Sequence, residues 1–573
     1  MKLVDARRLM GPSHLGRAPL VVVELELAPA EGEAAERAYL AELATIRAAC
    51  GFAPEVSLVR RPHAGGVVLG YEAPIDVMLA CTEMSEHAAL SAAEILAGRA
   101  PLPMGERLEL VRTILQEQAS PRLLAIAAEA ARRGLPFSWD DQVVLVGLGR
   151  RGYSAPRGAL PAPEDVPWGS LGAIPVVMIT GTNGKTTSSR LVARMASEAG
   201  LVVGATSSDG ITVGGATLEE GDWTGPVAAR TVLCRTDVEL AVLETARGGI
   251  LRRGLAIASC DVALLTNVSD DHMGGYGIHD LAAMTEVKAV VARAVPAEGT
   301  VVLNAHDPKL VALAETLAAR VTLFADLDRG DDAARDVVAR HRAAGGETVT
   351  AEAGAIVVDE PTAAGRARVV LARVEDAPLT FGGAARYNVE NVLGAVGAAR
   401  ALGLPDEAIT RAIVGFGAGD NPRRGELALR GGVRVLLDFG HNPEGVKAVM
   451  SLARALLAAR PGRLFVVLGS AGDRTDHELD EMTRIVCEHG PARVVARELE
   501  GYLRGRAPGE TPEVFRAACL RHGLPAGAFD VATSEVDALG RAFAVAAPGD
   551  LVVVLVHLEA EAVRAFLSAP PGA

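Results

Sequence analysis

The chain has 573 residues, more than one hydrophobic core accommodates, so three or four domains are expected. An apolar fraction of 49% and a charged fraction of 22% describe an ordinary globular protein. The net charge of −14 supplies no overall attraction to nucleic acid or an anionic membrane, and no apolar run is long enough to span a bilayer. The opening MKLVDARRLMGPSHLGR lacks the apolar core of a signal peptide, and the six cysteines are far apart with no CxxC. Both features fit reduced thiols in a cytoplasmic protein.

Residues 1–105 read as a small α+β domain. The segment Pro19 to Ala28 alternates like a strand, Ala34 to Ala49 and Ser85 to Ala97 are Ala-rich helical patterns, and GGVVLGYEAP is a second strand with turns. Residues 106–168 are transitional. Leu108 to Gln118 and Pro121 to Arg133 are helical, and Val143 to Gly149 is a buried strand. The Pro- and Gly-rich GYSAPRGALPAPEDVPWGS that follows reads as a linker. From about 169 to 418 short β-rich runs alternate with helices, the pattern of a doubly wound parallel sheet. A last α/β unit, Rossmann-like, covers 419–573 with strands VRVLLDFG, RLFVVLGS, ARVVAREL and DLVVVLVHL.

The most informative segment is VVMITGTNGKTT, placed between a strand and a helix. Gly181 and Gly184 permit close backbone approach, and the amides of Thr182, Asn183 and Gly184 with the helix start favour an anion. Lys185 adds a point charge for phosphate, and the Thr186 hydroxyl, followed by Thr187, can reach a divalent cation. The general phosphate-loop pattern would place Gly at 179, where this chain has Ile.

That deviant form, TGTNGKTT, is the one used by the Mur ligase family. Further stretches resemble the cyanophycin synthetase branch: TSSDGITVGG, GDWTGPVAAR, VLETARGGILRRGL, NVSDDHMG, YNVENVLGA, DNPRRGE, DFGHNPEG, GSAGDRTDHE and LRGRAPGE. Together they span about 170 to 565. The resemblance implies a P-loop-type central domain, ATP and Mg²⁺ as cofactors, and formation of an amide through an acyl phosphate. It implies that Glu244 and His272 hold a second Mg²⁺ and that Lys288 becomes a carbamate supporting the metal. It implies that Asn388 and Asn391, one helical turn apart, reach the adenine. Arg424 matches the family arginine that reaches ATP phosphate, Asp438 and His441 match the last domain's share of the nucleotide site, and that domain is expected to rotate over ATP. Asp473, Arg474, Arg504 and Arg506, with Glu510, are expected to select the incoming amino acid. Asn304 lies in NAHDP, where the family writes NADDP, so His306 replaces an acid there.

In the cyanophycin synthetases an ATP-grasp domain stands between the N-terminal and Mur-like parts. Here MGPSHLGRAPLVVVELEL resembles the N-terminal part and SPRLLAIAAEAARRGLPFSWDDQVVLVGLGRRGY the opening of the ATP-grasp part, which implies that 106–168 is its remnant; some 25 residues then lead to the Mur-like loop, too few for such a domain. The expected activity is therefore a single ligation, joining an amino acid, basic such as arginine, to a carboxylate of a peptide or small acid. Alternatives are a Mur-type ligase acting on a cell-wall nucleotide peptide or a folate, and a non-catalytic ATP-binding partner subunit. The resemblance also implies a homo-oligomer.

Overall fold

A computed structural model describes residues 1–28, 31–271, 273–499 and 501–569. It divides into two compact units: residues 1–324 with 343–347 and 394–408, and residues 325–342 with 348–393 and 409–573.

The first unit begins with a four-stranded antiparallel sheet in the order Lys2–Leu9, Leu20–Glu26, Gly66–Glu72, Val59–His63. Its strands alternate, so the two faces carry different residues. One face puts Val21, Val23, Leu25, Leu69 and Tyr71 against the helices Gly32–Ala49 and Met78–Leu96. The other carries a small cluster of Leu9, Leu20, Val22 and Val68.

The stretch read as a linker is packed, because it has apolar residues at spaced intervals and an edge to pair with. Tyr153–Pro156 adds to a three-stranded sheet with Phe137–Trp139 and Val143–Val146. Ala155, Leu160, Val166 and Leu171 are buried in the same core as the N-terminal sheet.

The larger sheet of this unit is parallel at its centre. Val176–Thr180 lies between Leu240–Glu244 and Val262–Leu265, and the latter pairs with Thr300–Asn304 and then Arg320–Asp326. Val, Ile and Leu fill these strands because helices cover both faces. On the other side Leu240–Glu244 pairs with Val203–Ser207, which continues into an antiparallel hairpin of Gly210–Val213 and Ala216–Glu220. The chain leaves Val176–Thr180 first to one side and then to the other, which makes its carboxyl end a topological switch point.

The second unit holds an antiparallel meander, Glu347–Glu352, Ala355–Thr362 and Gly365–Arg373. Its main sheet has the order Glu426–Arg430, Val433–Asp438, Leu551–Leu555, Leu464–Ser470, Arg493–Glu498, Phe529–Ala532. All neighbours are parallel except the edge strand Glu426–Arg430. Polar or strand-poor sequence had hidden the edge strands Ala216–Glu220, Glu426–Arg430 and Phe529–Ala532; pairing with a neighbour forms them.

One buried ion pair organises the end of this sheet. Arg497 bonds Glu535, and both are about fully buried. Glu535 also accepts the backbone N–H groups of His557 (2.6 Å), Leu558 (3.1 Å) and Glu559 (2.6 Å). Glu559 returns the favour, accepting the N–H groups of Glu535 (2.7 Å) and Val536 (3.2 Å). Truncating Glu535 would strand a buried guanidinium and three amides. Glu535→Ala should destabilise the second unit by about 3–5 kcal/mol, read as a lowered denaturant midpoint for that unit's transition.

Candidate functional site

The loop 180–187 sits at the switch point of the first unit, and it is lashed to the strand beside it. Thr182 N–H donates to Asn267 O (2.9 Å), and Asn183 N–H to Asn267 Oδ1 (2.9 Å). Asn267 Nδ2 and Thr266 Oγ1 both donate to Asn183 O, at 3.1 and 2.6 Å. Ser269 N–H donates to Thr182 Oγ1 (3.0 Å). Gly181 and Gly184 have φ of 151° and 86°. A Cβ on Gly181 would stand 1.9 Å from Thr266 Oγ1, so only glycine lets the loop approach this strand end. Lys185 Nζ curls back to Gly181 O (3.0 Å) and Thr182 O (2.9 Å), at the start of the helix Lys185–Glu198. A backbone cradle, a helix start and a loop-bound ammonium together suit a polyphosphate.

Sheet register sets the next groups. Glu244 pairs opposite Ile179, and Leu265 opposite Thr180, so Glu244 and Thr266 flank the loop's first residues. Glu244 is buried at 3% exposure. Its Oε2 accepts the N–H of Ser208 at 3.4 Å, and the Ser208 hydroxyl lies 3.0 Å from Thr186 Oγ1. Two hydroxyls and a carboxylate are hard oxygen donors that fit Mg²⁺. His272 lies outside the described residues; Asp271, next to it, is buried.

Lys288 is not a surface lysine. It sits on the helix Leu281–Arg293 at 4% exposure. Burial, and next the charges of Lys185 and Arg247, bring its ammonium down to about 7, with Asp271 pulling the other way. A lysine with that pKa is substantially neutral near neutral pH and able to add to CO₂.

Asn304 and His306 are turned to support. Asn304 Nδ2 donates to Thr266 O (3.0 Å), and Asn304 Oδ1 accepts the His306 N–H (2.9 Å). Asp307 accepts the Val268 N–H at 2.7 Å. The segment 266–269 is thus held from both sides.

In the second unit, Asn388 and Asn391 bond each other, Asn391 Nδ2 to Asn388 Oδ1 at 3.1 Å, while Asn388 Nδ2 donates to Leu379 O. They share a helical face, but both are buried. Asp438 ends a central strand, and burial raises its carboxyl to about 6, against the opposing pull of Arg424 and the nearby amides. The Tyr387 hydroxyl faces it at 3.5 Å. Phe439 is ringed by cationic and imidazole groups: Arg423 and Arg424 lie 5.6 and 5.1 Å from its centroid, and His441 and His557 both 5.2 Å. Arg424, Asp438 and His441 are therefore brought together.

The residues expected to choose the amino acid instead engage one another. Arg504 pairs with Asp473, and Arg474 with Glu478 (2.9 Å). Arg506 spans Gly472 O, Arg474 O, Asp476 and Glu510. Two loops, 471–476 and 503–510, are tied into one platform, with the side chains spent on the ties.

Ser208, Arg247, Tyr387 and His557 were missed. The first two lie inside the quoted stretches TSSDG and ETARGG, so their positions could have been weighed. Tyr387 and His557 also lie inside quoted stretches, YNVENVLGA and DLVVVLVHL, but their contacts with Asp438 and Phe439 are made only in the folded unit.

Two family models match: the Mur ligase middle domain over residues 179–399, and the Mur ligase glutamate ligase domain over 423–556. The chain is 36% identical over 410 residues to cyanophycin synthetase of Synechocystis sp., covering 71% of this chain and 45% of that one. It therefore spans less than half the length of the cyanophycin synthetases it matches. It is 27% identical to UDP-N-acetylmuramoyl-L-alanyl-D-glutamate–2,6-diaminopimelate ligase of Gloeobacter violaceus, over 66% of this chain and 70% of that one. Among solved structures, Mycobacterium tuberculosis folylpolyglutamate synthase complexed with ADP shares the fold, with a TM-score of 0.50 and 18% identity, over 70% of this chain and 91% of that one.

Lys288 makes stability depend on pH. Its folded pKa is below the unfolded one, so between about 7 and 10.5 the unfolded chain binds more protons and stability rises with pH. Below 7 the cost of the buried ammonium is fully present. Lys288→Met should raise the melting temperature at pH 7 and flatten its rise toward pH 10, as followed by calorimetry.

Proposed function

Because the chain belongs to the Mur ligase family, we propose that it is an ATP-dependent amide ligase. A carboxylate oxygen of the acceptor attacks the γ-phosphorus of ATP, and ADP leaves. An amine then attacks the acyl phosphate, the C–N bond forms, phosphate departs and the amine gives up a proton. The observation that carries the reading is the lashed glycine loop with Lys185 at its mouth.

In this reading Gly181, Thr182, Asn183, Gly184 and Thr187 form the loop that wraps the phosphates, with the Thr182 and Asn183 N–H groups fastening it to Asn267, and Lys185 neutralises the charge that builds as the β–γ bond breaks. Thr186 would hold one Mg²⁺ and Glu244 with His272 a second, and such ions when bound withdraw charge from the phosphate oxygens. Lys288, as its carbamate, would stand behind that metal. Arg424, Asp438 and His441 would contact the nucleotide, and the loops carrying Asp473, Arg474, Arg504 and Arg506 would shape the amino-acid pocket through their backbone. The proposed domains are 1–105, 106–168, 169–418 and 419–573. The proposed amine is a basic amino acid such as arginine and the acceptor an acidic peptide or small acid, on the strength of the likeness to cyanophycin synthetase. Among the described residues no helix is long and apolar enough to cross a membrane.

The test is amine-dependent ADP release over a panel of acidic acceptors and amino acids, with products identified by mass spectrometry. A basic amino acid on an acidic acceptor is expected. Release with a cell-wall nucleotide peptide or a folate alone would overturn the substrate assignment, and no release with any pair would overturn the ligase reading. Lys185→Ala should lower kcat by about 100-fold or more.

A further inference from the structure

The N-terminal sheet has a second face that an antiparallel sheet would ordinarily leave to solvent. Here that face is covered, and the cover consists of two segments of the central domain. One is the helix Arg247–Arg253 with its continuation to Leu255, which starts three residues after Glu244. The other is the loop 273–280, which begins directly after His272.

Arg7 and Glu24 make the joint, at 7% and 5% exposure. Arg7 Nε donates to Leu251 O of the helix at 2.9 Å, its Nη1 bonds Asp5 (2.8 Å) and Glu24 (3.4 Å), and its guanidinium lies 4.9 Å from the Tyr276 centroid. The Gly277 backbone lies close enough to the Glu24 carboxylate to favour its charged form, as does Arg7. Tyr276 holds a φ of 57°, a conformation that persists only where neighbours impose it, and its hydroxyl accepts from Arg252 Nε at 3.0 Å. His63 stacks on His279 with centroids 5.0 Å apart. Beyond the helix, Met10 N–H donates to Arg253 O (2.7 Å) and Leu255 N–H to Pro12 O (2.8 Å). The backbones cross so closely that a Cβ on Gly11 would lie 2.1 Å from Leu255 O.

The joint adds buried polar groups to the apolar cluster of Leu9, Leu20, Val22 and Val68 on this face. Arg7 Nη2, both ring nitrogens of His14 and His63 Nε2 are buried without a hydrogen-bond partner among the described residues. Such groups cost stability, so the joint is poorly explained as glue.

We propose that the N-terminal sheet is a brace for the divalent-metal site, with Arg7 and Glu24 as positioning residues that hold the segments following Glu244 and His272. The proposal rests on the reading of those two side chains as metal ligands. It gives the N-terminal domain a task that needs no second catalytic centre in the chain.

The experiment uses the full chain, Mn²⁺ as the probe and a non-hydrolysable ATP analogue, with Mn²⁺ binding read by electron paramagnetic resonance and loop mobility by amide hydrogen exchange. Glu24→Ala removes the carboxylate that bonds Arg7 and faces the Gly277 backbone, and should weaken Mn²⁺ binding about tenfold, with faster exchange in 273–280. Glu24→Gln keeps a carbonyl acceptor and should recover most of that loss. Metal-free analogue binding should not change. Gly277→Ala approaches the joint from the other side: its Cβ, at φ 72°, meets His63 Cδ2 at 3.0 Å, and it should weaken Mn²⁺ binding even if Glu24→Ala does not fold. Wild-type Mn²⁺ affinity and exchange in folded Glu24→Ala, or in Gly277→Ala where Glu24→Ala does not fold, would overturn the brace. No Mn²⁺ binding by the wild-type chain would overturn the metal reading beneath it.

Discussion

The close approach of the loop 180–187 to the end of the strand Val262–Leu265 is the constraint on which the first unit's site depends. A turn this near a neighbouring backbone exists only because Gly181 has no Cβ. Once there, the loop spends its own carbonyls and several amides on Thr266, Asn267 and Ser269. That lashing lowers the reorganisation needed when an anion arrives, which is how a preorganised electrostatic site gains its strength. Support continues outward, since Asn304 and Asp307 hold the segment that holds the loop.

Burial then does chemical work at two places. Lys288 is desolvated beside Lys185 and Arg247, which favours its neutral amine. Asp438, at the end of a strand in the second unit, is desolvated too, and its carboxyl rises despite Arg424. Asp438 stands at the carboxyl end of a parallel strand, where open α/β sheets gather ligand contacts, and Lys288 lies on a helix beside Lys185 of the phosphate loop. The thiols take no part in a bridge: all six cysteines are free, with Cys81, Cys260 and Cys519 buried.

Polar networks also hold the residues proposed to meet the amino acid and the adenine. The arginines of 471–476 and 503–510 are consumed in holding two loops together, and the Asn388–Asn391 pair is closed on itself. Each such network fixes a backbone path, and a fixed path is what a recognition loop requires. The same logic operates at the N-terminal joint, where Arg7 and Glu24 hold the backbone of another segment.

The local sequence by itself determined a great deal. Apolar runs bounded by glycine and polar residues marked most of the central parallel strands, because a strand buried on both faces is apolar, whereas Val203–Ser207, with Gly204, Thr206 and Ser207, carried no such run. The glycine–lysine loop was legible because its chemistry is carried by consecutive residues. What stayed hidden was whatever depends on a partner distant in the chain. The exposed strand Ala216–Glu220 has no apolar face and exists through its pairing with Gly210–Val213. The Pro-rich stretch 152–170 is folded because Leu160 and Val166 find a core shared by Leu123 to Val146 and by residues as distant as Val21 and Tyr39. Tyr387 and Asp438, or Arg7 and Tyr276, meet only after folding. Local sequence decides local conformation and the chemistry of one loop; burial, register and pKa belong to the tertiary structure, because each is set by neighbours that the chain brings together from afar.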